Sequence, residues 1–358
     1  MPPESPRRLL YLAPALLSSD SGPIRGVQVF DLLVVRQLVE MGIAVTLPAE
    51  STWRERLVSH LAGALPEFIY TPRLFKPQWN GLWAGLKLGG RTFDVTFVGN
   101  VSRGLIPMIR LLLLRRVTAR LVIQANRRPR PAFARAMRPW PATVLAVSRS
   151  VAEAFPEDLR PRVQVHYGIA NSELFRPRST PRPPGQPIRF CVMGALDNTW
   201  KGAHLAVEAF RHLPPDLAAR CELHLAAYEN PPSFPEKNII AYPWMKSEAV
   251  PEFLRGMDIM LVPSDDHETF SQVMVQGMLT GLPCITSALP VLTEKIDTGG
   301  GAFYTTIQEF AAHMASFAED TARRESAGRA ARETALARYV WDTRVFSERY
   351  LFDSGSRH

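Results

Sequence analysis

The chain has little cysteine: Cys191, Cys221 and Cys284 are the only three in 358 residues, and they stand far apart among apolar neighbours. That spacing excludes a zinc or iron–sulfur motif and offers no disulfide framework, so all three read as core residues of a protein kept in a reducing compartment. Long hydrophobic runs are lacking too. The run Leu111–Leu114 falls far short of the ~20 apolar residues that cross a bilayer. The stretch from Arg7 to Leu17 has the look of a short leader, but Pro14 interrupts it and no clean small-residue cleavage site follows. A first buried strand is the expectation there. The loop after it, Ser18 to Val27, has no Gly-x-Gly-x-x-Gly pattern, which leaves an NAD-type site without support. No repeat of solenoid period and no cluster of metal-ligand residues is present.

What is there is an ordinary globular composition, 46% apolar and 21% charged, at a length that suits two α/β domains. Charge is uneven. Residues 1–178 carry 25 Lys and Arg against 12 Asp and Glu, whereas residues 179–358 carry 17 against 22. A first half at net +13 suits an anionic partner such as nucleic acid, acidic lipid headgroups or a phosphorylated acceptor. A solvated, Arg-rich surface explains the same numbers.

Short apolar runs alternate with amphipathic segments along both halves. In the first, strands are expected at Leu9–Ala13, Ala44–Leu47, Val95–Val98, Leu121–Ala125, Val144–Val147 and Val163–His166. Helices are expected at Val27–Met41, with Phe30, Leu33, Val34, Leu38 and Met41 on one face, at Leu105–Leu114, and after a Ser148 N-cap. The Pro-rich stretch from Arg176 to Pro187 is the best linker. A second series follows: strands at Ile188–Met193, Glu222–Ala226, Ile259–Val262 and Cys284–Thr286, and helices at Ala203–Leu213, Val250–Arg255, Ser271–Leu279, Ile307–Ala318 and Ala322–Arg338. The pattern predicts two doubly wound, Rossmann-like α/β domains, with ligand in a central cleft at the C-terminal ends of strands. The expected division is 1–178, 188–338, and a last segment 339–358 that packs back on the first domain.

Three constellations carry chemistry. From Met257 to Cys284 an apolar strand ends at Pro263, a polar loop follows, and a helix opens near Ser271, whose unpaired amides suit a diphosphate. Glu268 precedes that helix and Gln276 lies within it; eight residues of helical rise is roughly 12 Å, about the span from a sugar to a ribose. A capped helix with a solvated glutamate is the plain alternative. In Arg189 to Leu205, a strand runs to Gly194 and a turn brings Lys201-Gly202 to another helix start, where an ammonium can neutralise a phosphate. The loop Ser18–Val27, with Arg25 and Gly26, follows the first strand.

In order and spacing these residues resemble the retaining GT-B glycosyltransferases of family 4. That family has Gly-Arg then Lys-Gly, Pro-Ser, Glu-x-Phe-Gly, a second Glu eight positions on, and Gly-Leu-Pro. The counterparts here are Gly194-Ala195 and Lys201-Gly202, Pro263-Ser264, Glu268-Thr269-Phe270-Ser271, Gln276 and Gly281-Leu282-Pro283. Val165 to Pro177 and Glu294 resemble further family segments. The resemblance implies a sugar moved from a nucleoside-diphosphate donor to an acceptor, whether glycan, lipid-linked or natural product, with retention of configuration. It implies Glu268 on the donor sugar, Lys201 on its phosphates, the amides of Thr269, Phe270 and Ser271 near both, Gln276 at the ribose, and Gly26 near the phosphate. It implies no metal and no cofactor beyond the nucleotide sugar. Ala195 removes an expected arginine, for which Arg25 or the Arg127-Arg128 pair is the candidate substitute. Gln276 replaces a carboxylate, so a catalytically weakened nucleotide-sugar-binding protein is the alternative. Nucleic acid is not expected, since aromatics are not interleaved with the basic residues. A cytoplasmic protein is expected. Leu111–Leu114, flanked by Arg110, Arg115 and Arg116, offers a peripheral contact with an anionic inner membrane face, but an amphipathic helix packed on its own sheet is the plainer reading of the leucines.

Overall fold

The structure, a computed structural model, describes residues 7–17, 27–61, 63–72, 77–100, 105–167, 170–180, 183, 185–265 and 267–352. The chain divides into two compact units, residues 1–166 with 342–358, and residues 167–341.

Among the described residues, the first unit holds strands β1 (Arg8–Leu12), β2 (Ala44–Glu50), β3 (Glu67–Thr71), β4 (Phe93–Val98), β5 (Thr118–Ala125), β6 (Ala142–Ala146) and β7 (Val163–Val165). They form one parallel sheet in the order β3-β2-β1-β4-β5-β6-β7. Helices α1 (Val27–Glu40), α2 (Arg54–Leu61), α3 (Pro77–Lys87), α4 (Ile106–Leu114), α5 (Pro131–Met137) and α6 (Arg149–Glu153) connect them. Ser148 caps α6 by accepting the Val151 amide at 3.2 Å. Of the face expected on the first helix, Val34 and Leu38 are buried, whereas Met41 lies in the turn beyond the helix end and is 44% exposed. The side chain of Phe30 lies outside the described residues.

The second unit holds β8 (Ile188–Met193), α7 (Ala203–Arg211), α8 (Pro215–Ala218), β9 (Cys221–Tyr228), β10 (Ile239–Pro243), α9 (Val250–Arg255), β11 (Ile259–Val262), α10 (Gln272–Leu279), β12 (Cys284–Ser287), α11 (Pro290–Ile296), β13 (Gly301–Tyr304), α12 (Ile307–Glu319) and α13 (Thr321–Arg338). Its parallel sheet runs β10-β9-β8-β11-β12-β13. Strand β11 and the Phe190–Met193 part of β8, at the centre of the sheet, are continuously apolar because both faces are covered, as in any doubly wound sheet. Phe190, Leu223, Leu225, Ile259, Leu261 and Ile285 meet Phe210 of α7 and Phe310, Met314 and Phe317 of α12 in one core. All three cysteines are free and buried within it or beside it.

The Pro-rich stretch does not separate the units. Phe175 is buried, and Arg178 bonds Asp258 Oδ1 and the Met257 carbonyl, each at 2.7 Å, so this segment is tied to the second unit. The chain changes units at 166/167 and again at 341/342. The last segment belongs to the first unit: Asp342 caps a helical turn at Thr343–Val345, and Phe346 packs edge-on against Phe97 of β4.

Candidate active site

Strand order in the second sheet places one crevice. The order reverses between β8 and β11, so the loops leaving their C-terminal ends diverge to opposite faces, and ligands of open α/β sheets bind at such a point. Both constellations expected from the sequence sit there.

After β8 the chain turns at Gly194, with φ 146°; a Cβ there would lie 3.3 Å from Lys201 Cε, so the lysine stem crosses the bare glycine. A tight turn at Thr199–Lys201 ends on Gly202, φ 70°, from which α7 departs. Any Cβ on Gly202 would meet the Pro263 carbonyl oxygen at 2.1 Å, so only glycine allows α7 to start against the end of β11. The amide of Asp265 donates to the Trp200 carbonyl at 2.9 Å, joining the two loops.

This locking brings the Lys201 ammonium to 2.7 Å from Glu268 Oε2, with the side chains only 14% and 7% exposed. The ammonium also lies 4.3 Å from the Trp200 ring centroid. Glu268 Oε1 accepts the amides of Ser271 at 2.9 Å and Thr269 at 3.2 Å, and Ser264 Oγ donates to Oε2 at 3.4 Å. Burial alone would raise the Glu268 carboxyl. The Lys201 charge and hydrogen bond, with the Ser271 and Phe270 amides, outweigh it and hold the group below its ordinary range. Glu268 is therefore a fixed carboxylate, and the amides expected to face a ligand donate to it.

Ser271 begins α10 with φ 61° and ψ 72°, a left-handed conformation unusual for a residue with a Cβ. Its Oγ is buried and has no hydrogen-bond partner among the described residues. Helix α10 packs by Gly277 on Met260 of β11, which aims its first turn at the crevice. Gln276 lies one turn further on, partly buried, its carbonyl taking the Thr280 amide and hydroxyl. Phe270 is buried.

One residue in the site escaped sequence reasoning. Lys295 of α11 is fully buried, its ammonium bonded to the Val291 carbonyl at 2.6 Å and 3.7 Å from Glu294 Oε1. It stands 4.7 Å from the Phe270 ring and 5.4 Å from that of Tyr339, and Tyr167 packs edge-on against Tyr339. Burial pulls its pKa down to about 8, against the opposing charges of Glu294 and Glu268. The available signal was register: Val291, Leu292, Lys295 and Ile296 form the buried stripe of α11.

Arg25 and Gly26 lie outside the described residues. Arg127 and Arg128 are exposed in the first unit. Among the described residues no group of three His, Cys, Asp or Glu stands close enough to hold a metal ion, and no helix is long and apolar enough to cross a membrane.

Residues 187–320 match the family model described as glycosyl transferases group 1. No curated protein matches the chain in sequence. Among solved structures, the chain is similar to a glycosyltransferase from Rickettsia africae ESF-5, with 14% identity, a TM-score of 0.74, and 96% of this chain and 98% of that one covered. It is similar to HepE of Anabaena in complex with UDP-glucose, with 16% identity, a TM-score of 0.71, and coverage of 93% and 95%. A third likeness is sucrose-phosphate synthase from Thermosynechococcus elongatus, with 15% identity, a TM-score of 0.69, and coverage of 94% and 96%. The two parallel doubly wound sheets thus have the GT-B fold.

Proposed function

We propose that the protein transfers a sugar from a nucleoside-diphosphate sugar to an acceptor with retention of anomeric configuration, as the family 4 resemblance implies. The observation that carries this reading is the buried Lys201–Glu268 pair at the sheet's switch point, beside the first turn of α10. In the proposed reaction the bond from the anomeric carbon to the diphosphate oxygen breaks. The acceptor oxygen then bonds that carbon on the same face, and its proton passes to the departing diphosphate. Such chemistry needs positioning and charge stabilisation more than a dedicated base. Lys201 and the α10 amides are proposed to stabilise the leaving diphosphate, Glu268 to hold sugar hydroxyls, and Gln276 to bond the ribose through one acceptor and one donor. HepE of Anabaena is described in complex with UDP-glucose, which supports a nucleotide sugar as donor here.

We place the protein in the cytoplasm with its basic first unit against an anionic membrane surface, and expect no metal or cofactor to be required. A thermal-shift screen against UDP-, GDP-, ADP- and dTDP-sugars tests the donor. Stabilisation by one of them is expected, followed by slow release of its nucleoside diphosphate as the sugar passes to water in place of the acceptor. Stabilisation without release would overturn the transfer reading in favour of a binding protein.

A further inference from the structure

Helix α3 is built inside out. A surface helix normally buries its large apolar residues and shows polar ones. In α3 the residues turned inward are small: Asn80, Gly81, Ala84 and Gly85. A Cβ on Gly81 would touch Met108 and Leu105 of the α4 region, and one on Gly85 would come within 3.1 Å of Leu111. The glycines therefore let α3 lie close on α4, and the bulky residues are left outside. Trp79 is 55% exposed and Leu86 52%, with the partly buried Trp83 between them at helical spacing. Leu114, at the end of α4, is 82% exposed. Because Gly81 faces Leu105 and Met108 while Gly85 faces Leu111, the two helices run in the same direction. The Leu86-Lys87 end of α3 therefore lies toward Leu114-Arg115-Arg116.

Charge around this patch is mostly of one sign. Between Glu67 and Glu153 the chain has a single acidic residue, Asp94, against 15 arginines and lysines. Asp94 stands at the start of β4, near the end of α4, where the neighbouring Phe93 amide donates to the Val117 carbonyl at 2.8 Å, and it is engaged there by the Arg8 amide at 2.8 Å. Arg110, Arg115 and Arg116 are exposed along and beyond α4. The Lys87 ammonium stands 4.9 Å from the Trp83 ring, so cation and aromatic occupy one surface. Outward Trp79, the partly exposed Trp83, outward Leu86 and Leu114, and a surround in which cations far outnumber carboxylates match the interface of an anionic bilayer. There the indoles sit at headgroup depth and the cations meet lipid phosphates.

We propose that the α3 face, with the end of α4, is the surface by which this protein docks on anionic lipid. The proposal specifies the membrane contact of the preceding reading, relocating its apolar part from the mostly packed Leu111–Leu113 to Trp79, Trp83, Leu86 and Leu114. It rests on that contact and is independent of the transfer chemistry. Donor turnover in solution without vesicle binding would therefore overturn this surface alone.

The test is flotation of the full chain with vesicles of phosphatidylcholine, with and without phosphatidylglycerol. Binding is expected only to the mixed vesicles and is expected to weaken with salt. Trp79→Ser/Leu86→Ser/Leu114→Ser, at exposed positions and checked for an unchanged melting temperature, is expected to bind roughly ten-fold or more weakly. Arg110→Gln/Arg115→Gln is expected to lose roughly five-fold per residue. No flotation, equal flotation with pure phosphatidylcholine, either variant binding as the parent does, or retention on RNA in place of vesicles would each overturn the proposal.

Discussion

Lys201 and Glu268 stand 67 residues apart in sequence and 2.7 Å apart in the fold, because β8 and β11 are neighbours and each contributes the loop at its C-terminal end. Both side chains are largely buried, so removing one strands the other. Lys201→Met and Glu268→Leu are each expected to cost roughly 3–5 kcal/mol, and the double variant to recover most of that loss. Urea unfolding in a double-mutant cycle checks this, and strict additivity would contradict it.

Gly202 holds the two loops together by having no side chain. Gly202→Ala would place a carbon against the Pro263 carbonyl at a left-handed φ, forcing the start of α7, and Lys201 with it, away from β11. A loss of roughly 2 kcal/mol or more is expected, with a rise in donor KM, measured by thermal unfolding and kinetics. A variant indistinguishable from the parent would mean the close approach is not structural.

Ser271 carries two costs at once, a left-handed backbone and a buried hydroxyl without a partner among the described residues. Ser271→Gly removes both and is expected to stabilise the protein by roughly 1–2 kcal/mol. A hydroxyl kept for the ligand would show as weaker donor binding in the more stable variant. Calorimetry with the donor and thermal melts separate the two effects.

Much of the fold was legible because short apolar runs in a parallel sheet carry their own signal. Ile188–Met193, Val250–Arg255 and Ile259–Val262 are strand, helix and strand over the residues that the pattern indicates. The stretch from Arg54 to Lys87 was not legible. Strand β3 is a half-buried edge strand, and α3 reverses the usual apolar pattern. Edge strands β10 and β13 were missed for a similar reason, their side chains being only partly covered. In the site, Lys201 and Glu268 were both visible, but their contact depends on strand order, which no local pattern encodes. Lys295 was hidden because a charge in a core register reads as surface until the helix is seen packed.

Lys295 ties stability to pH. Its pKa is depressed to about 8 in the fold, below the ordinary lysine value near 10.5, so between these values the unfolded chain binds the extra proton. Stability from this group therefore rises as pH increases through that window. Against Lys295→Met, wild type is expected to gain roughly 2–3 kcal/mol between pH 8 and pH 10. Urea titrations of both proteins at each pH measure the difference, and a flat difference would contradict the buried charge.

The central claim is that the carboxylate of Glu268, held by Lys201, works on a nucleotide sugar. Its most direct test is release of nucleoside diphosphate by wild type, Glu268→Gln and Lys201→Ala, each supplied with the donor that stabilises wild type. Turnover by wild type and a loss of roughly 1000-fold or more in both variants, with folded spectra retained, is the predicted result. Near-normal release from either folded variant would contradict the account.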